Sequence, residues 1–99
     1  KKIPTGLAVH IPRDMEILVR SRSGLSLKGV VVANSPGTID SDYRKELFVI
    51  LQNVGSDIFT ISNGMRIAQA AARNLPKVRW QVVQSIEKTA RGGFGSTGL

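Results

Sequence analysis

Ninety-nine residues suffice for one small domain with a modest core, which points to oligomerisation as a source of further buried surface. The formal net charge is +7, from 14 Lys and Arg against 7 Asp and Glu, and 41% of residues are hydrophobic, so the chain reads as folded with an anionic partner. With no cysteine and one histidine, His10, disulfides, thiolate catalysis, Cys-ligated zinc and any His-pair mechanism are excluded.

Short alternating segments follow one another along the chain. Lys1-Lys2-Ile3-Pro4 runs almost directly into a strand; Leu7, Val9 and Ile11 then alternate up to Pro12. Met15, Ile17 and Val19 repeat that pattern. Leu25 to Lys28 fits one short helical turn after Ser23-Gly24, and Val30 to Ala33 is an apolar run closed by Asn34-Ser35-Pro36-Gly37. Leu47 to Leu51 is apolar on both faces, as expected of a strand covered on both sides. Ile58 to Ile61, Ile67 to Ala72 and Val78 to Val83 are further candidate strands, and helix is scarce. This pattern predicts an all-β sandwich, jelly roll or barrel. Residues 1–88 form the expected β domain, and residues 89–99, with loop composition, a flexible Gly-rich arm. No transmembrane run or signal-peptide h-region is present, so the expected setting is the cytoplasm, or a host cell's interior for a viral protein.

Four constellations carry chemistry. Arg20-Ser21-Arg22-Ser23-Gly24 sets two guanidinium groups two apart on a strand before a Ser–Gly corner, a combination suited to phosphate and equally to a solvated strand end. Asn34 to Tyr43 forms a Pro-Gly hairpin returning through Asp40, Asp42 and Tyr43. On an extended strand Asp40 and Asp42 share a side, whereas Asp40 and Tyr43 oppose one another unless the strand bulges. A carboxylate in a basic pocket can act as general base toward water, although Asn, Asp, Pro and Gly are also ordinary turn residues. Gly64 to Gln69 offers one Arg and one Gln after a turn. Finally, Arg91-Gly92-Gly93-Phe94-Gly95-Ser96-Thr97-Gly98 combines backbone N–H groups, hydroxyls and a stacking ring, which suits a lid over a flat anion as well as a linker.

Each constellation is weak alone, but their order is specific. Arg22-Ser23-Gly24-Leu25, Gly37-Thr38-Ile39-Asp40-Ser41-Asp42-Tyr43, Arg66-Ile67-Ala68-Gln69 and Gly92-Gly93-Phe94-Gly95-Ser96-Thr97-Gly98 resemble, in order, the second to fifth motifs of the deoxyuridine triphosphatase (dUTPase) family. The resemblance runs from Ile3 to Gly98. It implies a jelly-roll-like β fold, a homotrimer with active sites shared between subunits, and Mg²⁺-assisted hydrolysis of dUTP to dUMP and pyrophosphate. Asp40 would orient and deprotonate the water that attacks the α-phosphorus. Tyr43 would pack on the deoxyribose, and the hairpin with Asn34, Gly37 and Ile39 would read uracil. Arg22, Ser23 and Gly24 from a neighbouring subunit would hold phosphate with Gln69, supported by Arg66. Phe94 would cover the base, and Arg91, Gly95, Ser96 and Thr97 would meet the terminal phosphates. Mg²⁺ would be carried on the substrate phosphates, with no protein metal ligand.

Three departures accompany the resemblance. The family's first motif, of Asp-Ala-Gly-x-Asp-Leu type, is not among these 99 residues, so an N-terminally incomplete domain is expected. Lys45 stands where the family usually has Gly, and Arg91 adjoins Gly92 where the family commonly spaces its Arg two residues further away. These departures sustain an alternative, a nucleotide-binding or regulatory protein of the same fold with little or no turnover. The related dCTP deaminase pattern differs around Asp40 and lacks the Gly-rich end. Single-stranded nucleic-acid binding would call for interleaved aromatic and basic residues, and the five aromatics are scattered singly; no nucleic-acid or membrane partner is expected.

Overall fold

The computed structural model describes residues 1–95. It contains β1 (Lys2–Pro4), β2 (Met15–Arg20), α1 (Ser23–Leu27), β3 (Val30–Val32), β4 (Gly37–Ile39), β5 (Phe48–Asn53) and β6 (Gln69–Asn74). The strands form two antiparallel three-stranded sheets, ordered β1–β5–β3 and β4–β2–β6. The expected all-β class is therefore what the chain adopts.

β2 organises one sheet because its β-branched and long apolar residues suit a pleated surface with neighbours on both edges. It pairs with β6 over its full length, from Met15↔Asn74 to Arg20↔Gln69, and with β4 from Ile17↔Ile39 to Val19↔Gly37. That register brings the start of the Arg20–Gly24 segment beside Gln69 and the start of the Gly37 hairpin. Sequence-distant candidate residues thus meet through strand pairing.

The other sheet supplies most of the core. Val30 and Val32 of β3 pack with Val49 and Leu51 of β5, and Leu18 of β2 is also buried. Fully burying each such side chain contributes about 1.5–3 kcal/mol. β5 departs from its expected two-sided burial: Val49 and Leu51 face the core, whereas Phe48 and Ile50 are exposed. Side chains alternate along a strand, and the described residues bury only one side of β5.

α1 begins where β2 ends. Arg22 is extended at the helix entrance (φ −93°, ψ 135°), and its carbonyl accepts both the N–H and the Oγ–H of Ser26 at 2.9 Å. The expected turn over Leu25 to Lys28 therefore lies about two residues earlier. Gly29 closes the helix at φ +86°, a left-handed conformation that favours glycine. It also meets Gly55, whose backbone a Cβ on Gly29 would approach to 2.7 Å. Asn53 shapes that neighbouring turn, accepting from Gly55 N–H at 3.0 Å and donating to the Asp57 carbonyl at 2.7 Å.

Three candidate strands are absent: Leu7 to Ile11, Ile58 to Ile61 and Val78 to Val83 are irregular. Their alternation is real, but among the described residues none of the three joins a strand ladder, although the Leu7 carbonyl accepts the Leu47 N–H at 2.7 Å. Residues 75–95 contain no helix or strand and are exposed, including Trp80 at 92% and Val82 at 97%. Ile67 to Ala72, by contrast, is in large part strand, displaced to Gln69–Asn74 by pairing with β2.

Candidate functional site

Strand β4 ends at Ile39, and the chain then turns so that the Tyr43 N–H donates to the Asp40 carbonyl at 3.1 Å. This turn overrides the extended-strand expectation that Asp40 and Tyr43 oppose one another. Both line one cavity of about 290 Å³, together with Thr38, Ile39, Phe48 and Ile50. The Tyr43 hydroxyl donates to the Glu46 carbonyl at 2.7 Å, which anchors the far end of the ring beside the cavity that Tyr43 lines. Asp42 leaves Asp40 at the same turn and lines a different depression with His10, Arg13 and Arg44.

Asn34, Gly37 and Ile39 surround a smaller space of about 70 Å³ at the hairpin mouth. The Asn34 amide lies against Gly37, where an added Cβ would come within 3.1 Å of Nδ2. An amide held there presents a donor and an acceptor side by side, the pairing chemistry of a pyrimidine edge.

Arg22, Arg66 and Gln69 line a third, larger cleft of about 760 Å³ with Met65 and Ile67. The Arg22 Nη1 donates to the Arg66 carbonyl at 2.7 Å, which orients the guanidinium while leaving other N–H groups for an anion. Gln69 is fixed by Nε2 donating to the Ser21 carbonyl at 2.9 Å. Ser23 and Gly24 stand exposed in the first turn of α1, beside but not within this cleft.

Phe48, which the motif reading missed, borders all three spaces, and Lys2 Nζ lies 4.1 Å from its ring centroid. Period-two alternation through β5 was the available signal, because it turns Phe48 and Ile50 away from Val49 and Leu51. Arg91, Phe94 and Gly95 lie in the irregular C-terminal segment and line none of these cavities; the Arg91 N–H donates to Thr89 Oγ1 at 3.4 Å. Ser96 and Thr97 lie outside the described residues. Among the described residues no group of three or more His, Cys, Asp or Glu could hold a metal ion.

The sequence model of the family described as dUTPase matches residues 1–98. The chain is 53% identical over 100 residues to the deoxyuridine 5′-triphosphate nucleotidohydrolase of Rickettsia bellii, covering 98% of this chain and 67% of that protein. For the Rickettsia canadensis protein of the same name the identity is 52%, with 98% and 68% covered. Among solved structures, a mutant Staphylococcus bacteriophage 80alpha dUTPase with dUpNHpp superposes with a TM-score of 0.81 at 27% identity, covering 100% of this chain and 76% of that one. EIAV dUTPase superposes with a TM-score of 0.78 at 24% identity, over 89% and 72% of the two chains, and bears on the fold alone. With sequence relatives, the antiparallel fold and the order of the motifs in agreement, the chain belongs to the dUTPase family.

Proposed function

We propose that the protein hydrolyses dUTP to dUMP and pyrophosphate. The observation that carries this reading is the turn that brings Asp40 and Tyr43 to one cavity beside the Asn34–Gly37 hairpin mouth. It is supported by relatives named for that reaction and by a neighbour solved with dUpNHpp.

Asp40 accepts a proton from a water whose oxygen attacks the α-phosphorus; the bond from that phosphorus to the bridging oxygen breaks, and pyrophosphate leaves. Tyr43 offers its ring face to the deoxyribose, where a 2′-hydroxyl would meet carbon. The Asn34 hairpin reads the base edge, and Arg22 from a neighbouring subunit takes phosphate oxygens with Gln69, its guanidinium oriented by the Arg66 carbonyl of its own chain. Ser23 and Gly24 supply further donors at the entrance of α1. The donor set fits a Mg²⁺ ion held chiefly by the triphosphate, since the described residues form no acidic cage and Mg²⁺ commonly binds through substrate phosphates. When bound, the ion neutralises charge on the phosphates.

Residues 89–99 act as an arm, in which Phe94 covers the base and Arg91, Gly95, Ser96 and Thr97 meet terminal phosphates. The active unit is a homotrimer with sites shared between subunits, acting in the cytoplasm or in a host cell. Support for assembly comes from the exposed Trp80 and Val82, which one copy leaves without cover. No helix among the described residues is long and apolar enough to cross a membrane.

Pyrophosphate release from dUTP, with and without Mg²⁺, tests the reading. We expect Mg²⁺-dependent turnover and discrimination against UTP on the order of 10²-fold. Asp40→Asn should lower kcat by roughly 10²–10⁴-fold while leaving dUpNHpp affinity within a few-fold. Equal turnover of UTP would remove Tyr43 from its role, and an active Asp40→Asn would remove Asp40. Tight dUpNHpp binding without dUTP turnover by the unmodified protein would favour the binding or regulatory alternative.

A further inference from the structure

β1 brings a cation to the cavity that holds Asp40. Across the β1–β5 ladder Lys2 pairs with Ile50 and Pro4 with Phe48. Residues opposite one another in a ladder point to the same side of the sheet, and a long side chain also reaches its diagonal neighbour. Lys2 therefore stands on the outer side with Phe48 and Ile50, while Ile3 turns toward the core. Its Nζ lies 4.1 Å from the Phe48 ring centroid, a cation–π contact that holds the ammonium against the cavity wall. Among the described residues Lys2 makes no ion pair. Lys2 and Asp40 are the two charged residues that line this space, one of each sign. Arg22 and Arg66 line the separate, larger cleft.

We infer that Lys2 is a phosphate-binding residue, whose ammonium donates to a non-bridging oxygen of the α-phosphate. The inference rests on the proposed function for the identity of the nucleotide. Asp40 and the α-phosphate are both anionic, so presenting the Asp40 water to that phosphorus brings like charges together. A cation from the same chain, in the same cavity, offsets this repulsion at the point of attack. The ammonium carries three donors on a flexible stem, so it can meet a tetrahedral phosphate without the fixed geometry a guanidinium needs. Charge remains on the non-bridging oxygens while the bond to the bridging oxygen breaks, so the contact acts during the reaction as well as in binding. Lys2 lies outside the four motifs, and as one of two lysines at the start of the sequence it carries no signal of its own.

The test compares affinities for deoxyuridine and dUMP, and kcat/KM for dUTP, in the unmodified protein, Lys2→Met, Lys2→Arg and Lys45→Met. The first two ligands differ only in the α-phosphate. Lys2 is exposed, so its replacement leaves the core intact. We expect the unmodified protein to prefer dUMP, and Lys2→Met to lose about tenfold of that preference with deoxyuridine affinity unchanged within about twofold. Lys2→Arg should keep most of it, and kcat/KM for dUTP should fall in Lys2→Met by about tenfold or more. Lys45→Met removes one positive charge from a residue that lines none of the three cavities, and should leave the preference unchanged. A Lys2→Met protein that keeps its preference, that loses both ligands equally, or that Lys45→Met matches would overturn the inference. The functional reading is checked separately, by turnover of the unmodified protein. A Lys2-dependent preference for dUMP in a protein that leaves dUTP intact would overturn hydrolysis and sustain the role of Lys2. If the unmodified protein binds neither ligand, both proposals fall together.

Discussion

Gly29 and Gly24 lie five positions apart and impose opposite demands. Gly29 sits at φ +86°, with the Gly55 backbone 2.7 Å from where its Cβ would be. Gly24 lies inside α1, and nothing within 4 Å meets an added Cβ. Gly29→Ala should therefore destabilise the protein by at least about 2 kcal/mol, since the strained φ and the clash add. Gly24→Ala should stabilise it by about 0.5–1 kcal/mol through helix propensity. Urea unfolding at constant m-value separates the two; equal effects of one sign would refute the local conformations given to these glycines. At the same scale, Asp40 and Tyr43 show what sequence spacing misses. Alternation placed them on opposite sides, and a single backbone hydrogen bond after Ile39 brings them to one cavity.

Among the elements, β2 and β5 were the most legible in the sequence, β2 through its alternation and β5 through the continuous apolar run from Leu47 to Leu51. α1 was found with its start shifted, since Arg22 enters the helix with no side-chain cap to mark it. Leu7 to Ile11, Ile58 to Ile61 and Val78 to Val83 carry strand-like patterns, but a pattern specifies a face and cannot supply a neighbour. The Arg22, Arg66 and Gln69 grouping was legible only through the family's motif order. Nothing in the spacing reveals that β2 and β6 pair from Arg20↔Gln69. Phe48 went unread because β5 was expected to be covered on both faces. The one-sided burial of β5 leads to a measurement. Leu51→Ala should cost about 2–5 kcal/mol, as a large-to-small change in the small core, whereas Ile50→Ala should have a smaller effect on an isolated subunit. Comparable losses in a dilute, monomeric sample would mean that the outer face of β5 is covered within one chain.

The whole molecule is larger than its length requires. Its radius of gyration is 18.7 Å, and a compact chain of this size would reach about 13 Å. The excess accompanies residues 75–95, where Val78, Trp80 and Val82 alternate in exposed backbone, and a core of only five buried hydrophobic residues among those described. Under the proposed trimer, subunit contacts supply the missing cover, and stability becomes a function of protein concentration. Tm should rise with concentration, Trp80 emission should shift to the blue on assembly, and Trp80→Ala should favour smaller species by light scattering. A concentration-independent Tm with the mass of one chain would refute the trimer. The two sheets of a single subunit are themselves joined in part by the Ser21 hydroxyl on the Val32 N–H. An amide on the outer side of an edge strand ordinarily exchanges its hydrogen readily with solvent. Held across the gap by the side chain that follows β2, the Val32 amide becomes a clock for the parting of the sheets, and its exchange rate reports how often β3 separates from the end of β2 while β4 stays paired to it.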